Sequence, residues 1–196
     1  MSRACNLGGV FGSGVILAMA FIFPTLASAQ VETIDTTARG TGTQMRNVIS
    51  IKINIRQFSN DEDRQALVDA YKKGQSSGLA QALEKMKPNG QIRLPGNTGY
   101  GLAYVTSVPT ETGRRIRFVT SRRIALAEAR QNTRSKDYNL TAGEININDK
   151  DPKQSSGTLF PAAQLIVNDQ GQLQWELRQN PWELTNIIDW TQKGKE

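Results

Sequence analysis

Alternating apolar and polar positions predict that most of this chain forms β-strands. Residues 48–56 (VISIKINIR) carry isoleucine at every second position from Ile49 to Ile55, with polar side chains between them. Such alternation is typical of a strand with one buried face and one solvent-facing side. The pattern returns after residue 100 and predicts antiparallel hairpins, one over residues 101–125 and one over residues 157–179.

A helical period replaces the alternation between the first strand and the hairpins. Ser59 and Glu62 have the spacing of a capping box, so we expect a helix to begin there and to end at Gly74. A second helix is predicted by the apolar spacing over residues 79–86, and it ends before Pro88.

The segment 85–105 (KMKPNGQIRLPGNTGYGLAYV) is rich in glycine and proline, and it poses the question of a phosphate-binding loop. Such a loop needs glycines that lead into a helix N-terminus, where free amides face the anion. Here the glycines lead into the alternating residues 102–105. The segment is therefore interpreted as two turns in a sheet.

These patterns predict an α+β fold, mainly an antiparallel β-sheet meander with a two-helix hairpin inserted after the first strand. The sheet is expected either to stay open and curled or to close as a small barrel. The domain boundaries follow from composition. Residues 46–190 are assigned to one domain, polar residues 30–45 to a flexible leader, and residues 191–196 to a frayed C-terminus.

The N-terminus has the pattern of a bacterial secretory signal peptide. Arg3 precedes an apolar stretch over residues 15–23, and an Ala-Ser-Ala triplet ends at Ala29. The apolar stretch is too short to span a bilayer as a helix. We therefore expect removal of residues 1–29, a secreted or periplasmic protein without a membrane anchor, and a mature chain of 167 residues that starts at Gln30.

The composition excludes several kinds of chemistry. The predicted mature chain contains no cysteine and no histidine. Disulfides, thiol catalysis, Ser-His pairs and the usual zinc sites are therefore absent. The acidic segment 148–157 lacks the residue order of a calcium loop. We predict no metal, no cofactor and no catalytic residue.

The charge of the mature chain is uneven. It carries 23 basic and 18 acidic residues, a net charge of +5, whereas residues 114–136 alone carry eight basic residues and one acidic residue. This asymmetry predicts a basic patch that binds an anionic lipid, an acidic glycan or an acidic protein. The alternative is a solvated sheet face whose arginines prevent edge pairing. The candidate anion-binding residues are Arg115, Arg117, Arg122 and Arg123.

Nucleic acid is disfavoured as a partner. The expected export separates the chain from nucleic acid, and no aromatic residues are interleaved with these arginines to stack on bases.

Four stretches together resemble a group of exported bacterial proteins for which no activity is established. They are residues 55–74, 82–105, 114–124 and 134–140. The resemblance implies export and a shared fold and transfers no functional residue. Arg123 stands where the resemblance would place a proline.

The leading functional hypothesis is an exported, non-enzymatic binding or accessory protein that contacts an anionic envelope component or a small ligand through the basic hairpin. One alternative is a carboxylate-dependent hydrolase of the cell envelope. The other is a purely structural or interaction protein. A hollow apolar interior would favour a carrier, and two close carboxylates in a deep pocket would favour the enzyme.

Overall fold

A computed structural model describes residues 32–124, 139–177 and 180–193 of the chain. The predicted signal peptide, residues 1–29, lies outside this range. The described strands are β1 (Glu32–Gly40), β2 (Val48–Ile55), β3 (Gly90–Arg93), β4 (Tyr100–Thr110), β5 (Gly113–Thr120), β6 (Leu140–Asn148), β7 (Ser156–Val167), β8 (Leu173–Leu177) and β9 (Trp182–Asp189). The described helices are α1 (Asp61–Lys85) and α2 (Trp190–Lys193). Among the described residues, no helix is long and apolar enough to cross a membrane.

Eight of the strands form a closed antiparallel barrel. The strand order is β6-β5-β4-β3-β2-β1-β9-β7, and β7 pairs back with β6 to complete the circle. Closure leaves none of these eight strands as a full free edge, which removes the usual hazard of edge-to-edge association. The predicted antiparallel sheet is confirmed.

The predicted fold class, an α+β domain with a two-helix hairpin, is wrong. The chain is mostly β, and the segment after β2 is one helix, α1. Gly74 (φ −143°) and Gln75 (φ 51°) depart from helical geometry and kink α1. Glycine weakens a helix locally, but it does not determine which direction the chain takes afterwards. The glycine that predicted the end of a helix therefore lies at a kink within α1.

The predicted flexible leader is also wrong for residues 32–40, which form β1. This strand pairs with β2 on one side and with β9 on the other, so it is part of the barrel wall. Glu32, Ile34, Thr36 and Ala38 alternate inward and are buried. Threonine favours strands because its branched β-carbon fits a pleated surface. The polar composition of the segment concealed this alternation.

The local turn predictions are confirmed. β4 and β5 pair around residues 111–112, and β7 pairs with β8 around residues 168–172. In the glycine-rich segment, β3 and β4 are joined by a turn in which Gly96 and Gly99 have φ of +73° and +102°. Glycine adopts these left-handed conformations without steric cost.

The barrel interior is packed with apolar side chains. Its largest fully buried residues include Trp182 and Phe118. The Phe118 ring lies against the backbone of Gly143 on the neighbouring strand β6, where any β-carbon would overlap the ring. Isoleucines from β1, β2, β3, β5, β6 and β9 fill the remaining layers. These side chains occupy the space that a carrier would leave for its ligand.

A second apolar core lies outside the barrel, beneath α1. A β-bulge in β4 shifts the register, so that Leu102 opposes Thr120 but Tyr104 opposes Val119. The extra residue, Ala103, turns the side chains of Tyr104 and Val119 towards the outer cluster. The buried members of this cluster are Leu67, Leu79, Leu83, Ala103, Val119, Leu140, Ala142, Ala163 and Leu165.

The end of β7 leaves the barrel wall as a two-stranded extension. Residues 163–167 of β7 pair with residues 173–177 of β8, and we call residues 163–177 the outer ribbon. Gly171 has φ of +72°, and the Asn168 side chain accepts hydrogen bonds from the amides of Gln170 and Gln172 at 3.1 and 2.8 Å. This turn directs β8 back across the outer face of the barrel.

One arginine joins three parts of the barrel wall through buried ion pairs. The guanidinium of Arg114 on β5 lies 3.0 Å from a carboxylate oxygen of Glu32 on β1 and 2.6 Å from one of Asp189 on β9. The three side chains are 21, 9 and 7 % exposed. A buried charge without its partner is costly, so these groups depend on one another.

The N-terminus of α1 begins one residue later than the capping pattern predicted. Asn60 is the N-cap: its side chain accepts from the amide of Asp63 at 2.8 Å, and Asp63 accepts in return from the Asn60 amide at 3.1 Å. The Ser59 hydroxyl oxygen instead accepts from the Asn89 side chain and from the Val105 amide. Ser59 therefore links the start of α1 to the barrel.

We predict that Asn60→Ala lowers the free energy of unfolding by about 0.5–2 kcal/mol, because it removes the cap acceptor. Asn60→Ser, which retains a capping oxygen, should restore most of the loss. Chemical denaturation of both variants measures this. Equal stability of the alanine and wild-type proteins would contradict the assignment of the cap.

We predict that Arg114→Met lowers the free energy of unfolding by about 3–5 kcal/mol, because Glu32 and Asp189 lose their shared cation inside the barrel. Arg115→Met is the matched control on the same strand. It removes a more exposed ion pair with Glu144 and should cost at most about 1 kcal/mol. Denaturation curves that shift equally for the two variants would show that Arg114 does not have this role.

Candidate functional site

Two of the predicted anion-binding residues share one carboxylate. Arg115 and Arg117 lie on the outer face of β5, on either side of the inward-facing Ile116. Their Nε atoms lie 3.5 and 2.7 Å from the two carboxylate oxygens of Glu144 on β6. Arg115 also donates to the Asn146 side chain at 2.8 Å. The outer face of the hairpin is therefore partly neutralised.

The other two predicted residues lie beyond the end of β5. The guanidinium of Arg122 is 4.9 Å from the centre of the Tyr100 ring, and it lines a separate depression beside the second half of α1. Arg123 is half-buried. The contacts therefore do not support the single basic patch that the sequence predicted. Of the four arginines, Arg117 has the surroundings of a binding site.

A cleft of about 340 Å³ lies between the start of α1, the outer face of β4 and β5, and the outer ribbon. We call it the ribbon cleft. Its lining residues are Arg64, Tyr104, Thr106, Arg117, Phe118, Val119, Leu165, Gln172, Leu173 and Trp175. The cleft exists because β8 passes over the barrel wall instead of joining it. Leu165 and Trp175 are cross-strand partners in the ribbon and fix its inner face.

The ribbon cleft combines apolar walls with two cationic side chains. Arg64 and Arg117 both line it, and no carboxylate does. Arg64 contacts Asp61 through Nε at 3.5 Å, and Arg117 contacts Glu144 through Nε at 2.7 Å. Within the described part of the chain, the terminal guanidinium nitrogens of both arginines make no hydrogen bond. They remain able to donate to an anionic group in the cleft.

Trp175 positions the Arg117 side chain. The guanidinium carbon of Arg117 is 5.5 Å from the centre of the Trp175 ring, which is within the range of a cation–π contact. Phe160 also contacts the indole, with ring centres 5.8 Å apart and planes tilted by 41°. The arginine is thus held between a carboxylate and an aromatic ring, which limits its conformational freedom before a ligand binds.

Tyr104 presents a neutral phenol in the ribbon cleft. Burial raises the pKa of Tyr104 above its ordinary value of 10.0. The nearby Arg64 lowers this pKa in part, and Asp63 and Asp61 add to the increase. The phenol therefore stays protonated at neutral pH and can donate a hydrogen bond.

A second, more polar space adjoins the ribbon cleft. It has a volume of about 350 Å³, and Arg117, Leu173 and Trp175 line both spaces. Its other lining residues are Glu144, Thr158, Phe160 and Gln174. We call this space the polar compartment.

The arrangement of the described residues gives little support to a carboxylate-dependent hydrolase. The buried carboxylates of Glu32 and Asp189 both bind Arg114, so they act as an ion network in the barrel. The described residues also contain no group of three or more acidic, histidine or cysteine residues placed to hold a metal ion.

Sequence patterns missed three residues of the cleft: Arg64, Tyr104 and Trp175. Arg64 belongs to a charged first helical turn, which is usually solvated. The sequence pattern indicates that Trp175 is a core residue or covers a sheet edge. The packing of α1 on the barrel brings Arg64 beside Tyr104 and Arg117, and the crossing of β8 brings Trp175 there.

We predict that Tyr104 ionises above pH 10, and that Tyr104→Phe removes that step from an ultraviolet pH titration. Since the folded pKa is raised, the stability from this group is present below pH 10 and is lost as the pH rises through the folded value. Arg64→Gln should move the step to still higher pH, because Arg64 lowers the pKa. A late step that survives Tyr104→Phe would contradict the assignment.

Comparison of the chain with protein-family models, with curated proteins and with solved structures finds no match in any of the three. The resemblance to exported bacterial proteins therefore stays an expectation from the sequence. Function has to be argued from the ribbon cleft and its neighbouring residues.

Proposed function

We propose that this protein is a non-enzymatic binding protein that takes a small anionic amphiphile in the ribbon cleft. The amphiphile has an apolar chain and one carboxylate, sulfate or phosphate group. Export to the periplasm or cell exterior is part of the proposal, since an anionic envelope lipid is a ligand of this chemistry. The sequence features of residues 1–29 support this location.

The observation that carries the proposal is the pairing of Arg64 and Arg117 across a cleft whose other walls are mainly apolar. Each arginine contacts a protein carboxylate through its Nε and keeps its terminal guanidinium nitrogens available to a ligand. An anionic group in the cleft would accept hydrogen bonds from those nitrogens, and charge-assisted hydrogen bonds of this kind are short and strong.

The remaining walls of the ribbon cleft can contact the apolar chain of the ligand. Val119, Leu165 and Leu173 present aliphatic surface, and Trp175 presents the indole ring. The neutral phenol of Tyr104 supplies one further donor. A cleft of mostly apolar lining with few converging polar groups is the usual form of a small-molecule site.

The test compares decanoate with decanol by titration calorimetry. We expect decanoate to bind and decanol to bind at least tenfold more weakly, because only the carboxylate pairs with the arginines. Arg117→Met and Arg64→Met should each weaken decanoate binding by roughly tenfold or more, since a hydrogen bond to a charged group contributes about 1.5–3 kcal/mol. Binding should also weaken as salt concentration rises.

Arg115→Met is the control for Arg117→Met. It removes the same charge from the same face of β5, but Arg115 does not line the ribbon cleft. Decanoate affinity should therefore change little in this variant. If decanol binds as well as decanoate, or if Arg115→Met weakens binding as much as Arg117→Met, the proposal is wrong.

A further inference from the structure

The polar compartment contains hydrogen-bonding groups that the protein itself does not use. The hydroxyl of Thr158 and the side-chain amide of Gln174 make no hydrogen bond within the described part of the chain, and both line the compartment. Glu144 lies beside them, and its oxygens can accept more bonds than the two arginines supply. Donors and acceptors are therefore mixed within one small space.

Two aromatic rings complete the walls of this compartment. Phe160 and Trp175 contact each other and are each half-buried, so part of their surface faces the compartment. Aromatic faces beside mixed donors and acceptors suit a ligand that has both C–H surface and several hydroxyl groups. A simple alkyl chain would leave the polar groups unsatisfied, and a lone anion would leave the rings uncovered.

Arg117 connects the two spaces. It lines both, and its guanidinium lies between Glu144 and the Trp175 ring. An anionic group bound by Arg117 would therefore sit at the boundary, with the apolar part of its molecule in the ribbon cleft. A ring that carries both the anionic group and the apolar chain would then lie in the polar compartment, next to Arg117.

We infer that the ligand of the ribbon cleft carries a sugar ring, and that the polar compartment binds this ring through Thr158, Gln174 and Glu144. The ligand class is then an amphiphile with an acidic saccharide head group. The inference rests on the proposed function and narrows its ligand.

The test compares decyl β-D-glucuronide with decanoate. Both carry a ten-carbon chain and one carboxylate, and only the glucuronide adds a sugar ring. We expect the wild-type protein to bind the glucuronide about tenfold more tightly, which corresponds to about 1.4 kcal/mol, because the sugar ring adds hydrogen bonds to Thr158 and Gln174. Thr158→Val and Gln174→Leu should each reduce this preference by several-fold and leave decanoate affinity unchanged.

Thr106→Val is the matched control. It makes the same substitution as Thr158→Val, but the hydroxyl that it removes lies in the ribbon cleft and not in the polar compartment. It should leave the preference for the glucuronide intact. Methyl β-D-glucuronide, which lacks the long chain, should bind far more weakly than the decyl compound. If the methyl and decyl glucuronides bind with equal affinity, the ligand is a free sugar acid, and the proposal of an amphiphilic ligand is wrong.

The outcomes separate the two proposals. If neither decyl compound binds, the proposed function itself fails. If decanoate binds but the glucuronide is not preferred, the proposed function stands and the sugar ring is excluded. The same conclusion follows if Thr158→Val weakens both ligands equally, because a general loss of structure would act on both.

Discussion

The backbone pairing of β6 with β7 closes the barrel, and the rest of the structure depends on this closure. A closed wall forces each strand to place alternate side chains inside, where isoleucines and the rings of Phe118 and Trp182 fill the space. It also leaves the outer faces of β4 to β7 as a second apolar surface that needs a cover. The helix α1 and the outer ribbon supply that cover. The seam between them is the ribbon cleft.

The three arginines of β5 differ in their surroundings. Arg114 faces inward and holds Glu32 and Asp189, so it belongs to the barrel. Arg115 and Arg117 face outward and share Glu144. Only Arg117 also reaches the indole of Trp175 and the cleft. Arginine thus has three different settings on β5: Arg114 is part of a buried ion network, Arg115 forms a surface ion pair, and Arg117 lines the ribbon cleft.

The arrangement also explains why the proposed ligand site lies outside the barrel and not within it. An eight-stranded barrel has an interior that side chains can fill, and here most of the buried side chains inside it are apolar. A site then needs an additional layer, and the long strand β7 provides it by extending past the wall. Because β7 runs continuously from the barrel into the ribbon, the ribbon is anchored through the pairing of β7 with β6 and β9.

Patterns among neighbouring residues were sufficient to predict the local features of this protein. Alternation identified the strand that ends at Ile55 and both hairpins, and the glycine-rich segment was correctly interpreted as turns, because these signals depend on neighbouring residues only. The sequence also named Arg117, but only as one of four candidate arginines on a single basic patch. Only the tertiary structure decided that the sheet closes, that residues 32–40 join it, and that Gly74 kinks one helix instead of ending it. Those outcomes depend on pairings between distant segments, such as β1 with β9, which leave no local pattern. Arg64, Tyr104 and Trp175 meet at the cleft for the same reason: they lie far apart in the chain, and the packing of α1 and of β8 against the barrel wall brings them together.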